Sequence, residues 1–436
     1  MQLTNRKSYT CFSLFIFSVI FTLFGCSNHQ MKTEAADSHN RWWKGNLHTH
    51  SLWSDGDHFP EVITRWYKEN GYHFLSVSDH NILQQGEKWI QPEFNHHAQS
   101  GGGMAVFEQY LEEFGEQWVE YRMVNDTLEA RLKPLNEYRH LFEESGKFML
   151  INSEEITDAH VVHVNAHNIL HFIPPQGGAT VRETIQNNVN AVHHHHHETG
   201  QEMFPHLNHP NFHFAVTAED LAHIEGLHFF EVYNGHRGVY NYGNENHVDL
   251  DRFWDITLTL RLAHLDLGIM YGLAVDDSHH YENSMDETAT PGRGWVMVRS
   301  DFLTPEHIIR ALKAGDFYST TGVKLIDFGV ADGTYFVEID PEPGVEYTVQ
   351  FIGTSKQHDI SSRPVLDENG DELRATRIYS EELGTLFKEI SGTRAAYQIT
   401  GDELYVRAKI ISTKEHPNPF AEGDTEVAWT QPFVVE

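Results

Sequence analysis

An α/β domain built on a parallel sheet, trailed by a small antiparallel β-sandwich, is the fold class that this 436-residue sequence predicts. Three observations predict it. Short apolar segments alternate with helical ones from residue 45 to 325, the order of parallel strands joined by crossover helices. Past residue 326 the texture changes to short alternating segments split by the turns Pro341-Glu342-Pro343-Gly344 and Glu368-Asn369-Gly370-Asp371, as in a sandwich. The composition, 40% hydrophobic and 12% aromatic, is that of a packed globular chain.

The elements follow in chain order. Arg6 and Lys7 precede an apolar run over 11–24, too short to span a membrane comfortably, and Leu23-Phe24-Gly25-Cys26 follows. That ending resembles a bacterial lipobox, so residues 1–25 read as a lipoprotein signal peptide and Cys26 as the lipidated first residue. Ser27 behind it favours the outer membrane, and the expected location is the cell envelope, on the periplasmic or outer face. Polar, aperiodic residues within 26–44 form a tether. Pro60, Val62, Ile63, Trp66 and Tyr67 predict a helix over 60–70, stopped by Gly71. Residues 73–78 read as a strand running into Asp79-His80. Helices over 104–118 and 134–148 come next, then strands over 148–156, 226–234 and 268–275. The strands of the final region, 326–436, include 347–351 and 403–411. The run His193 to His197, behind an apparent linker over 186–190, reads as a mobile loop beside the site.

Lys and Arg total 31 against 63 Asp and Glu, a formal charge of −32. Such a surface repels polyanions, so no long nucleic acid is expected as partner or substrate. No obligate protein partner is evident. The two cysteines, Cys11 and Cys26, both belong to the export segment, which leaves any metal chemistry to carboxylates and the 32 histidines.

Six motifs supply ligands of that kind, most of them at the end of a predicted strand, where α/β barrels build their sites. His48-Thr49-His50 places two imidazoles on one face of a strand. Asp55 follows in a Ser-Asp-Gly turn, and Asp79-His80 closes the second strand. Glu154-Glu155 closes a third, with His163 and then His209 beyond it. Asp277-Ser278-His279 comes last. One such motif is more often structural than metal-binding, but six in this order are specific as a set.

The ordered set resembles the polymerase and histidinol phosphatase (PHP) family over about residues 45–322, including Ser78-Asp79-His80 and the trailing Gly315-Asp316-Phe317-Tyr318 segment. The resemblance implies a distorted (β/α)7 TIM-like barrel over 45–325 with two to three divalent ions, Zn, Mn or Fe. It implies that His48, His50, Glu155 and Asp277 hold one ion. Glu155 would bridge to a second, held also by His163 and His209, and Asp55, His80 and His279 would hold a third. Glu154 competes with Glu155, and Asp276 with Asp277; neighbours on a strand face opposite ways, so one of each pair points inward.

Imidazole with carboxylate keeps such ions Lewis acidic. The expected reaction is attack of a metal-bridged hydroxide on the phosphorus of a small phosphorylated substrate, with Glu155, Asp277 and His279 as catalytic residues. His80, His279 or a metal-bound water would manage the leaving-group proton. Arg237 and Arg293 are the candidate substrate-binding cations, and Glu231 a partner behind the ligands. Two other functions fit the motifs: hydrolysis of a non-phosphate bond such as an amide or lactone, and non-catalytic binding of metal or carbohydrate. The first is separated from phosphoester hydrolysis by whether Arg237 and Arg293 reach the ligands.

Overall fold

The structure, a computed structural model, describes residues 41–94, 103–281 and 287–436. The signal peptide, Cys26 and the tether up to residue 40 lie outside the described residues. The described residues form one compact unit.

Seven strands carry the site. They are β1 (Trp42–Asn46), β2 (Phe74–Val77), β3 (Met149–Asp158), β4 (Val162–His167), β5 (Phe204–Leu207), β6 (Phe229–Asn234) and β7 (Tyr271–Val275). Each pairs with the next, in chain order. The run curls until its ends meet: Asp277 N–H donates to His48 O and His50 N–H to Ser278 O, both at 2.9 Å. Six of these strands are parallel, as expected, but β4 runs against both neighbours. The cause is local. Only the 3-10 turn Ala159–Val161 joins β3 to β4, and a parallel return needs a crossover of a dozen or more residues.

Helices cover the outside, each apolar on one face. Helix α1 (Pro60–Glu69) starts on proline, whose missing N–H costs nothing there, and buries Ile63 and Tyr67. Helices α2 (Gly103–Phe114) and α3 (Leu135–Phe142) are shorter than their sequence pattern: Gly115, at φ 76°, ends the first and Glu143, extended at ψ 130°, the second, and strands Tyr121–Val124 and Thr127–Leu132 form a hairpin between them. Helix α4 (Val181–Thr199) contains the whole His193 to His197 run, which corrects the loop reading. Val181, Ile185, Val189 and Val192 recur at helical spacing and are buried, a period that the intervening Gln and Asn residues mask. Thr180 caps its start and Gly200, at φ 69°, ends it.

Six further strands continue the same sheet, so its pairing crosses the boundary at 325/326. Strand β8 (Trp295–Arg299) pairs with β1 and β9 (Phe317–Thr320) with β8. Beyond β9 lie strands from the end of the chain: β16 (Thr425–Thr430), β15 (Glu403–Glu415), β12 (Tyr347–Ser355) and β13 (Thr385–Ser391). A second antiparallel layer, β10 (Leu325–Ala331), β11 (Thr334–Ile339) and β14 (Arg394–Gln398), shares a core with them through Phe328, Val337, Phe351 and Ala408.

One buried ion pair ties these strands to helix α5 (Leu250–Thr259). Arg407 on β15 donates from Nε and Nη2 to Asp255 at 2.9 and 2.7 Å, and Tyr405 OH donates to the same carboxylate at 2.8 Å. Arg407 also lies 4.8 Å from the Trp254 ring centroid. Arg407 Nη1 also lies 3.2 Å from Asp251 Oδ1, so Asp255→Ala leaves the guanidinium one carboxylate of two and is expected to cost about 1.5–3 kcal/mol in urea unfolding. A loss below about 1 kcal/mol would show that water reaches Arg407 after all.

Candidate metal centre

The curled sheet brings all nine predicted ligands to one end, because each follows or ends a strand whose C-terminal edge, or for β4 whose start, lies there. Their arrangement is tightest around four atoms. His48 Nε2 and His50 Nε2 are 3.1 Å apart, each is 3.1 Å from Glu155 Oε2, and each is 3.2 Å from Asp277 Oδ1. A tetrahedral ion with the usual ~2.0–2.1 Å bonds to imidazole and carboxylate has ligand–ligand edges of roughly 3.3 Å. These five edges lie close to that value, and His48, His50 and Glu155 stand close enough together to hold a divalent ion, with Asp277 beside them.

Two looser groups adjoin this cage. Asp55 Oδ2 is 3.4 Å from His80 Nε2 and 3.5 Å from His279 Nε2, and Asp55 Oδ1 is 3.4 Å from His50 Nδ1. The second oxygen of Glu155, Oε1, faces His163 Nδ1 at 2.7 Å and His209 Nε2 at 3.6 Å. Glu155 therefore presents one oxygen to the cage and the other to a neighbouring pair of imidazoles, as a bridging carboxylate must. Its contact with His163 is at hydrogen-bond length and would open to admit an ion.

The charges explain why a cation belongs here. Glu155 and Asp277 are buried, which favours their neutral forms, yet the surrounding imidazoles hold both well below the usual carboxylate range. His50 is pushed up to about 10: burial opposes its charged form, but Asp277, Glu155 and Asp55 outweigh burial. His48 is raised in the same way by Asp277, Glu231 and Glu155. The ion pairs of Asp55, Glu155 and Asp277 among the described residues are all with histidine. Protons on imidazoles face each other poorly across 3.1 Å, and a divalent ion supplies the same positive charge at the centre of the cage.

Both adjacent-carboxylate ambiguities resolve. Glu154 points away from the ligands, accepts the Ile173 N–H at 2.7 Å, and leaves Oε2 buried without a partner. Burial pushes it up to about 8, against the pull of the Ile173 N–H. Asp276 accepts the N–H groups of Gly292, Arg293 and Gly294 at 2.7–2.9 Å and is a structural staple. Asp277 has φ 48°, in the left-handed region that Asp tolerates better than most residues. Such ligand strain marks functional sites.

Arg237 and Arg293 are not brought to the ligands. Arg293 is fully buried and donates to Gly235 O, Thr288 O, Glu287 O and Asn418 Oδ1. Arg237 donates to Phe420 O and Pro419 O and pairs with Glu287 at 3.8 Å. Both clamp loops, which corrects their assignment as substrate-binding cations: the 416–421 loop that engages them lies over a hundred residues away, beyond the reach of local sequence. The five-His run contributes none of the ligand groups; His193 and His196 bond to Gly226 O and Gln201 O instead.

Three supporting residues escaped the sequence reading. Asn208 Nδ2 donates to Glu155 Oε1 at 2.8 Å, Asn234 Nδ2 to Asp277 Oδ2 at 3.0 Å, and Thr157 Oγ1 lies against His80 Nδ1. The signal available was position, since Asn208 precedes His209 and Asn234 ends β6. His236, with its ring centroid 5.4 Å from that of His279, borders the mouth; burial lowers it to about 4, and its Nδ1 accepts the Gly238 N–H, which leaves Nε2–H as donor.

No protein-family model matches the chain, and no curated protein matches it. Among solved structures the chain is similar to a two-domain protein from Bacteroides vulgatus, described as containing a predicted PHP-like metal-dependent phosphoesterase. The two share 14% identity over 92% of this chain and 96% of that one, with a TM-score of 0.36.

Because the ion displaces protons, zinc affinity measured by chelator competition is expected to rise about tenfold per pH unit for each proton released. An affinity flat between pH 6 and 8 would mean that the ligands are already proton-free. Glu155→Gln should abolish tight binding, whereas Glu154→Gln should keep it. The raised Glu154 carboxyl favours folding below the unfolded pKa of about 4.3, and that contribution is lost as pH rises through about 8. Glu154→Gln should therefore melt higher than the parent at pH 9 by more than at pH 5; equal differences at both would refute a neutral buried Glu154.

Proposed function

We propose that the protein is a metal-dependent phosphoesterase that hydrolyses small phosphomonoesters or nucleotides. The observation that carries this reading is the four-atom cage, with Glu155 shared between it and the neighbouring imidazoles. Two to three ions, Zn, Mn or Fe, suit nine ligands of this kind: His48, His50, Asp55, His80, Glu155, His163, His209, Asp277 and His279. When bound, they supply Lewis acidity that neutralises phosphoryl oxygens and acidifies water. The chain's own groups do the rest. Glu155 and Asp277, ionised by their imidazole neighbours, keep the ligand set anionic. Asp55, the most exposed carboxylate of the set, faces the mouth with His80 and His279, where a leaving group departs. His236 offers Nε2–H there as a neutral donor to a substrate oxygen. The closed run β1–β7 with its reversed β4 supports a distorted (β/α)7 barrel, and Arg6, Lys7 and the segment ending at Cys26 support a lipid-anchored protein of the cell envelope.

A second reading has an observation of its own. Arg237 and Arg293 are committed to loops and neither steadies a phosphate at the ligands, and hydrolysis of an amide or lactone would use the same centre.

Phosphate release from phosphomonoesters, nucleotides and sugar phosphates decides between them, using protein from Ser27 loaded separately with Zn, Mn and Fe. Release by the parent, reduced at least about 10³-fold in His48→Ala/His50→Ala, is the expected result. Silence of a metal-loaded parent across the panel, with turnover of amide or lactone substrates, would replace the first reading with the second.

A further inference from the structure

The polar residues do not stop at the ligands. Beneath His48, five adjacent strands each turn one buried polar side chain into the interior: Ser76 on β2, Ser153 on β3, His167 on β4, His206 on β5 and Glu231 on β6. None is more than 3% exposed. Burying two imidazoles where Leu or Val would pack is costly unless both nitrogens of each ring are bonded. Here all four are.

His206 Nε2 lies 3.0 Å from Glu231 Oε1, and His206 Nδ1 lies 2.9 Å from His167 Nε2. His167 Nδ1 lies 2.9 Å from Ser76 Oγ and 3.1 Å from Ser153 Oγ. One direction satisfies the chain. Two fixed donors, the His209 backbone N–H and the Asn234 amide, point at Glu231 Oε2, so the carboxylate takes the acceptor's part in the chain. His206 must then carry its proton on Nε2 and accept at Nδ1. His167 must donate from Nε2, which leaves its Nδ1 to accept from a serine hydroxyl. Burial keeps both rings neutral, as this requires.

The chain ends where the ligands begin. Glu231 Oε1 also accepts from His48 Nδ1 at 2.6 Å, a separation too short to hold an ion between them and long enough only for a hydrogen bond. Glu231 Oε2 accepts the His209 backbone N–H at 2.7 Å and Asn234 Nδ2 at 2.8 Å, and Asn234 in turn donates to Asp277. One saturated carboxylate thus fixes two histidine ligands directly and an aspartate ligand through Asn234. With Nδ1–H bound to Glu231, His48 has its Nε2 lone pair free for the cage.

We propose that His167 and His206 are positioning residues of the metal centre: a one-way hydrogen-bond chain from Ser76 and Ser153 through His167, His206 and Glu231 locks the tautomer of His48 and sets how tightly the cage holds its ion. The proposal rests on metal binding at the cage and not on which bond is hydrolysed. Losing such outer partners typically weakens a site about 10–100-fold.

The test measures zinc affinity of the protein from Ser27 by chelator competition at fixed pH. His206→Leu removes the donor to Glu231 and should weaken binding by about 10–100-fold. His206→Gln can donate to Glu231 and accept from His167, and should recover most of that loss. Leu207→Ala, an equally buried neighbour outside the chain, should lower the melting temperature and leave affinity unchanged. Histidine-selective 15N NMR of the parent should show His167 and His206 as Nε2–H tautomers. Parent-like affinity in folded His206→Leu, an affinity loss in Leu207→Ala matching that of His206→Leu, or an Nδ1–H tautomer at either ring would each overturn the proposal. Should His206→Leu fail to fold, the tautomer measurement decides alone. Failure of the parent to bind zinc would overturn the metal centre itself, a separate outcome.

Discussion

Glu155, Asp277 and Glu231 lie in the dry interior, and among the described residues the only groups paired with them that can carry positive charge are imidazoles. Carboxylates cannot remain ionised there without positive charge close at hand. That constraint organises much of what surrounds them. It accounts for the number of histidines at this end of the sheet, for the amides of Asn208 and Asn234 turned onto carboxylate oxygens, and for a polar chain running down through strands that would otherwise pack with aliphatic side chains. Lysine or arginine in the same place would neutralise the charge permanently and leave nothing for an ion to do. Histidine neutralises it provisionally, because its proton can be displaced.

Geometry makes the concentration of charge tolerable. The seven strands close by two backbone hydrogen bonds between the residues after β1 and those after β7, so ligands at opposite ends of the chain's first three hundred residues become neighbours. The left-handed backbone of Asp277 lets two successive aspartates face different tasks, one gathering the N–H groups of 292–294 and the other joining the cage.

The clustering of these side chains was legible because their spacing is local: His48 and His50 two apart just past β1, Asp277 and His279 likewise past β7, Glu155 near the end of β3. Alternation along β3 also foretold that only one of Glu154 and Glu155 could point inward. What was not legible depended on distant chain. The reversal of β4 follows from a three-residue turn whose strandedness on both sides had to be known first. Arg237 and Arg293 carry the right charge in the right motifs, yet their donors are claimed by carbonyls and an amide from 287–288 and 418–420, which no local pattern reveals. The five-His run misled for the opposite reason: its composition drew attention away from the helical period of the valines and isoleucine that precede it.

Asn418, Pro419 and Phe420, in the loop before β16, grip both arginines; Arg293 sits between the glycines whose N–H groups staple Asp276, next to the ligand Asp277. The last hundred residues are therefore not a passenger that could be traded for another cassette. A lineage that lost or exchanged them would have to rebuild the floor under Asp277 in the same step.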